Sequence, residues 1–266
     1  ELLEANTRTI LQFAFGPSPA LRLTPPDQRR TALSIGSGGG RDVLLFRLAG
    51  VERITAVELN PDVIDVAREH RAFNGDVVDG PDVETVVEEG RHFLRATDER
   101  YDVILLSLPV TKRGEGHAGF ALSESYVFTV ESIGEYLDHL TPDGQLLLVC
   151  HTRQEVGRLI NTYLATSAAR DVSPVDAMSR VAVFGDKLLT VVVKAAPQPE
   201  AYWRALERET RKVRQASPDL AYFLPVSSPG GPMSPMLTAV AAGSVDAVAM
   251  PRVSDSTYEP DMSAVT

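Results

Sequence analysis

Thr31 to Asn60, TALSIGSGGGRDVLLFRLAGVERITAVELN, decides how the rest of the chain is read. It has the form of a strand, a glycine-rich turn, a helix and a second strand that ends on an acidic residue. Gly36, Gly38 and Gly40 let the backbone turn sharply and bring N–H groups close to a ligand, because no Cβ blocks the approach. Glu58 then arrives at the tip of the second strand, where a carboxylate accepts from ribose hydroxyls. This pairing is a nucleoside-binding signature. The turn itself reads G-x-G-x-G, and Arg41 stands where a dinucleotide fingerprint would place its third glycine. That favours an adenosyl-methionine type of ligand over NAD, since a shorter turn suits a ligand with no pyrophosphate to cradle.

Outward from this stretch, strands and helices alternate, the pattern of a parallel sheet covered on both faces. The second strand meets Asn60-Pro61, a helix cap with proline at the first helical position. The next helix carries Val63, Ala67 and His70 at helical spacing. Val83 to Val87 is expected as the third strand, followed by Glu88, Glu89 and Gly90 and a short helix with Phe93 and Leu94 facing inward. Tyr101 to Leu108, YDVILLSL, is a fourth, fully buried strand halted by Pro109. A loop, VTKRGEGHAGFALSES, leads to helical spacing through Val127, Val130, Ile133, Leu137 and Leu140. The turn TPDG (Thr141 to Gly144) precedes a fifth strand, QLLLVC, and Gln154 to Ala165 reads as an amphipathic helix. Arg180 to Phe184 and Leu188 to Lys194 lack room for a helix between them, so they are expected to be antiparallel.

The expected fold is therefore α/β, of the class I methyltransferase type: a Rossmann-like, mostly parallel seven-stranded sheet with an antiparallel last strand. Residues 1–30 read as a lead-in, with Phe13 and Phe15 packing on the main domain. Residues 31–196 form the nucleoside-binding domain, and 197–266 a C-terminal appendage. In the appendage, Ala201 to Gln215 reads as a helix anchored by Trp203 and Leu206, with a Glu207 to Arg211 pair one turn apart. Pro225 to Pro235 is dense in Pro, Gly and Ser.

Composition narrows the classes. A net charge of −10 and a pI near 5.0 argue against a general nucleic-acid or anionic-membrane binder. No apolar run reaches the roughly 18 residues of a membrane span, and a cytoplasmic location is expected. The single cysteine, Cys150, lies in an apolar run and reads as a core thiol. The chain opens on Glu1 rather than Met and is read as a piece of something longer. His70, His92, His139 and His151 lack ligand spacing, so no metal site is expected.

GSGGGRDV, AVELNPDVIDVAREH, DVETVVEEGRHFL, ERYDVILLSLP and LTPDGQLLLV resemble the successive motifs of the spermidine synthase family. The resemblance covers about Thr31 to Lys194. It implies the class I methyltransferase fold, decarboxylated adenosyl-methionine or adenosyl-methionine as ligand, a small-molecule acceptor and a homodimer. By resemblance, Glu58 binds the ribose, Glu89 accepts from the adenine amino group, and Gly36, Gly38 and Gly40 pass under the methionine-derived chain. Ser37, Asp42, Leu59, Asn60, Gly90 and Ser107 join the expected ligand-binding set. The family ends its fourth strand with an aspartate that helps deprotonate the attacking amine, followed by Asp-Pro; here the position reads Ser107-Leu108-Pro109. A serine hydroxyl is no general base unaided. Candidate catalysts are Ser107 itself and, in the loop, Glu115, His117 and Glu124, while Lys112 and Arg113 would repel a diamine. The reading that follows is an aminopropyl or related alkyl transferase, with a methyltransferase or a non-catalytic ligand-binding domain as alternatives.

Overall fold

The computed structural model describes Leu21, residues 24–107, 126–185, 188–216 and 218–226, and Leu237. Eight strands among these residues form one sheet: β1 Thr31–Ile35, β2 Arg53–Glu58, β3 Val83–Val87, β4 Tyr101–Ser107, β5 Leu140–Cys150, β6 Val181–Gly185, β7 Leu189–Lys194 and β8 Ala221–Phe223. Their order is β3-β2-β1-β4-β5-β7-β6-β8. β1 to β5 pair in parallel, and β7 inserts antiparallel between β5 and β6. The expected hairpin is thus present.

The apolar runs arise because both faces of the sheet are covered. On β4, Ile104 and Leu106 face one core while Val103 and Leu105 face the other. On β5, Leu146, Leu148 and Cys150 divide from Leu147 and Val149 in the same way. A period of two read from both sides leaves the middle of each of these strands apolar. The first core is closed by Leu94 of α3 (Gly90–Ala96), Ile133 and Tyr136 of α4 (Val130–Asp138), and Leu159 and Tyr163 of α5 (Arg153–Ala168). Met178 of α6 (Pro174–Met178) completes it. The second is closed by Val43 and Phe46 of α1 (Arg41–Ala49), Ile64 and Ala67 of α2 (Pro61–Glu69), and Trp203 and Leu206 of α7 (Glu200–Ala216).

Three details differ from the sequence reading. The sheet has one strand more, because Ala221–Phe223 pairs antiparallel with β6. α7, that strand and Leu224 just after it, all expected in an appendage, contribute Trp203, Leu206, Tyr222 and Leu224 to the second core. On α2 the buried residues are Ile64 and Ala67, with Val63 half-buried and His70 exposed, so the inward stripe is rotated by one position. The TPDG segment lies within β5 as an irregularity: the pairing steps from Tyr101↔Leu140 to Val103↔Gln145. Thr141 Oγ1 donates to Asp102 Oδ1 at 2.8 Å, and the buried Lys194 Nζ donates to the Asp143 carbonyl at 3.0 Å. Burial pushes the Lys194 pKa down to about 8.

The Glu207–Arg211 pair forms at 2.9 Å. Cys150 is free and buried, and burial pushes its thiol pKa up. No helix among the described residues is long and apolar enough to cross a membrane.

Because Trp203 is 2% exposed, Trp203→Ala is expected to lower the unfolding free energy by about 3–5 kcal/mol. Trp203→Phe should cost clearly less, since the buried Nε1–H has no acceptor to lose. Urea unfolding followed by circular dichroism measures both.

Candidate functional site

Strand register alone brings the site together. Ile35 lies between Val57 of β2 and Leu106 of β4, so Gly36, Glu58 and Ser107 leave the sheet side by side at the carboxyl ends of the strands. The Glu88 N–H donates to the Glu58 carbonyl at 3.0 Å, which adds Glu88 and Glu89 to the same edge. The chain order reverses between β1 and β4, and open α/β sheets take ligands at that crevice.

The glycine turn is built from three left-handed residues, Gly36 (φ 72°), Gly38 (φ 53°) and Gly40 (φ 82°). The N–H groups of Gly36 and Ser37 both donate to the Val57 carbonyl, at 2.9 and 3.1 Å, and the Gly40 N–H closes the turn onto the Ser37 carbonyl at 3.0 Å. Ser37 is buried. Glu58 then ties the turn to β2: one carboxylate oxygen accepts from the Gly38 N–H at 2.9 Å and the other from the Asn60 N–H at 2.9 Å. Each oxygen keeps a lone pair for a further donor. Asn60 caps α2 through the Asp62 N–H at 3.0 Å, and the side chain of Leu59 beside it is 47% exposed.

The glycines divide by role. A Cβ on Gly40 would sit 2.2 Å from Val77 Cγ2, and one on Gly90 would sit 2.4 Å from Ile35 Cγ2, so packing demands glycine at both. Around Gly38 the nearest atom is 4.0 Å from such a Cβ, and around Gly39 nothing lies within 4 Å. The Cβ side of Gly38 and Gly39 is therefore open, whereas that side of Gly40 is filled by Val77.

Glu89 caps α3, accepting from the His92 N–H at 2.8 Å, and His92 Nδ1 pairs with Glu88. Behind them the buried Arg91 holds Glu135 through two bonds, at 2.8 and 2.9 Å, and donates to the Tyr126 carbonyl at 3.0 Å. Burial pushes the Glu135 carboxyl up, but hydrogen bonds from Arg91 and Arg95 and their charges outweigh it and hold its pKa below the usual range.

The buried carboxylate of the site is Asp42, in the first turn of α1 and 3% exposed. It accepts from Ser34 Oγ at 3.3 Å, and the Ser107 hydroxyl at the tip of β4 lies near enough to favour its charged form. Burial raises its pKa to about 6, against the lowering effects of the Arg41 charge and the two hydroxyls. Sequence reading placed Asp42 among ligand residues and missed its link to Ser107. The signal was Ser34 and Ser107, hydroxyl side chains next to the apolar runs of β1 and β4. Glu115, His117, Glu124, Lys112 and Arg113 lie outside the described residues, as do Phe13 and Phe15. Among the described residues no cluster of three or more His, Cys, Asp or Glu side chains is placed to hold a metal. A shallow cavity lined by Thr31, Thr55, Glu84, Glu99 and Tyr101 lies at the opposite, amino end of the strands, away from the glycine turn.

The profile described as the spermine/spermidine synthase domain matches residues 19–183. The chain belongs to that family. A polyamine aminopropyltransferase of Clostridium perfringens is 32% identical over 120 residues, which is 44% of this chain and 39% of that enzyme. One of Serratia proteamaculans is 37% identical over 82 residues, 29% of this chain and 28% of the enzyme. The matched stretch thus spans well under half of these relatives' length. A spermidine synthase solved in complex with the transition state analogue AdoDATO superposes with a TM-score of 0.51 at 18% identity, over 74% of this chain and 63% of that one. A probable spermidine synthase from Corynebacterium glutamicum gives 0.52 at 15% identity, over 80% and 77%. Both likenesses are of fold, and with them the family's class I methyltransferase-like sheet is shared.

Two outcomes follow from the geometry. Gly40→Ala should destabilise the protein by more than about 1 kcal/mol, from the clash and the positive φ, whereas Gly39→Ala should leave the thermal midpoint within about one degree. For Asp42 the folded-state pKa lies above the ordinary 3.8, so the folded protein holds that proton longer than the unfolded chain does. Stability attributable to Asp42 then falls as pH rises from about 4 to about 6 and stays low above. Asp42→Asn should accordingly gain up to about 3 kcal/mol at pH 7 and nothing near pH 4. Urea titrations at the two pH values read the difference.

Proposed function

We propose that the chain binds adenosyl-methionine or its decarboxylated form at the carboxyl edge of β1, β2 and β3, and transfers an aminopropyl or related alkyl group to a small acceptor. The observation that carries this reading is the Glu58 carboxylate, clamped between Gly38 and Asn60 beside an open glycine turn. Its remaining lone pairs suit the two ribose hydroxyls, and its two backbone bonds fix its orientation in advance. Leu59 offers apolar surface to the adenine, and Glu89 an acceptor for the exocyclic amine. Gly38–Gly39 leaves room for the aliphatic chain on sulfur. Asp42, Glu58, Glu88 and Glu89 give the edge an acidic character suited to a sulfonium cation. The donor's sulfonium supplies the leaving group, so the protein's task is alignment and removal of a proton.

Membership of the aminopropyltransferase family favours transfer to an amine. One observation favours methyl transfer as a second reading: the tip of β4 carries Ser107 and no carboxylate, which an acceptor already nucleophilic would not require.

Calorimetry with adenosyl-methionine and decarboxylated adenosyl-methionine separates the two. The aminopropyl reading expects the decarboxylated form to bind at least about tenfold tighter, a difference of about 1.4 kcal/mol. Absence of binding by both at high micromolar concentration overturns the proposal. Glu58→Ala should weaken binding by about 100-fold, through lost ribose bonds and a loosened turn. Unchanged affinity would remove the ribose assignment.

A further inference from the structure

We propose that the cavity at the amino end of the strands is a second small-molecule site, built for a diamino acid whose two ammonium groups meet Glu84 and Glu99 and whose carboxylate meets Arg53. It is separate from the glycine-turn edge and does not depend on the donor reading above. The cavity has a volume of about 200 Å³. Sites for drug-sized ligands run to roughly 300–1,000 Å³, so this one suits a molecule of amino-acid size.

Strand register builds it. Leu33, Ile35 and Val57 belong to the first core, so the period of two turns Thr31, Arg53 and Thr55 to the same face. Thr55 lies between Leu33 of β1 and Glu84 of β3, and Glu84 shares its face with Val86, which packs on that core. An apolar face thus becomes polar at the amino end. α3 stops at Ala96, and the chain passes Glu99 before re-entering the sheet at Tyr101. Two buried hydroxyls line the cavity: Thr55 is 7% exposed and Tyr101 3%, and a single hydrogen bond of 3.4 Å joins them. Ordinary O–H···O bonds are roughly 2.5–3.0 Å. This long contact is the only bond of the Thr55 hydroxyl among the described residues. Buried hydroxyls are ordinarily better satisfied, and a polar ligand in the cavity supplies what is missing. Burial raises the Tyr101 pKa to about 12, with the Glu99 and Glu84 charges contributing, so the phenol stays neutral beside them.

The charges around these hydroxyls decide the ligand. Arg53, Asp82, Glu84 and Glu99 line the cavity. Asp82 is already matched, since Arg47 Nε and Nη2 donate to its two oxygens, each at 2.8 Å. Arg53, Glu84 and Glu99 form no ion pair among the described residues. Two anions and one cation so placed are complementary to a ligand with two cations and one anion. A monoamino acid leaves one carboxylate unmatched, and a simple diamine brings nothing for Arg53.

L-Lysine, cadaverine and L-norleucine are the probes; the second lacks the carboxylate and the third the terminal ammonium. Binding is read from the methyl NMR signal of Thr55 in threonine-labelled protein, identified by its loss in Thr55→Ser. Lysine should shift that signal saturably, with a Kd of about 1 mM or tighter. Cadaverine and norleucine should each bind at least about threefold more weakly, the scale of one exposed charge pair. In Arg53→Gln, lysine and cadaverine should bind alike. Glu84→Gln and Glu99→Gln should each weaken lysine about threefold or more, with the thermal midpoint within about one degree of wild type. No saturable shift with lysine up to about 20 mM overturns the proposal. So does lysine affinity unchanged when Glu84→Gln and Glu99→Gln are combined. Cadaverine binding the wild type as tightly as lysine overturns the amino-acid assignment.

Discussion

The Glu58 carboxylate performs two bonding tasks on which the rest of the edge depends. By accepting from Gly38 it holds the glycine turn against β2, and by accepting from Asn60 it sets the start of α2. The turn needs such a partner, because the Gly36 and Gly40 N–H groups find backbone carbonyls in Val57 and Ser37, whereas the Gly38 N–H bonds only the Glu58 carboxylate. An anion is a stronger acceptor than a carbonyl and pre-organises the loop before any ligand arrives. Removing it would therefore change the shape of the whole edge.

The sheet beneath explains why this edge is rigid. Burial on both faces fixes the register of β1, β2 and β4, since a slip of one residue would exchange the two cores. Ser107, Gly36 and Glu58 inherit that precision by following Leu106, Ile35 and Val57 directly. On the far side of the site the Arg91–Glu135 pair does comparable work, tying α3 to α4 and to the Tyr126 carbonyl. A buried ion pair adds little net stability, but breaking one side of it costs about 3–5 kcal/mol, so it specifies position more than it strengthens the fold.

How much of this was legible in the sequence follows from which interactions are local. β1, β2, β4 and β5 announce themselves because two-sided burial leaves apolar runs, and the β6–β7 hairpin because the short Gly-Asp-Lys connection leaves no room for a helix. The Asn60 cap and the Glu207–Arg211 pair are contacts a few residues apart and were read directly. β8 was missed since AYF is too short to show a period, and its pairing with β6 spans a helix. TPDG has turn chemistry, yet it is drawn into β5 by Asp102 and Lys194, partners that only the fold supplies. At the site, Gly36, Gly38 and Glu58 were legible as a motif. The packing duties of Gly40 and Gly90 were not, because Val77 and Ile35 meet them through tertiary structure. The nearness of Asp42 on α1 to Ser107 on β4 is a tertiary relation and leaves no trace in local spacing.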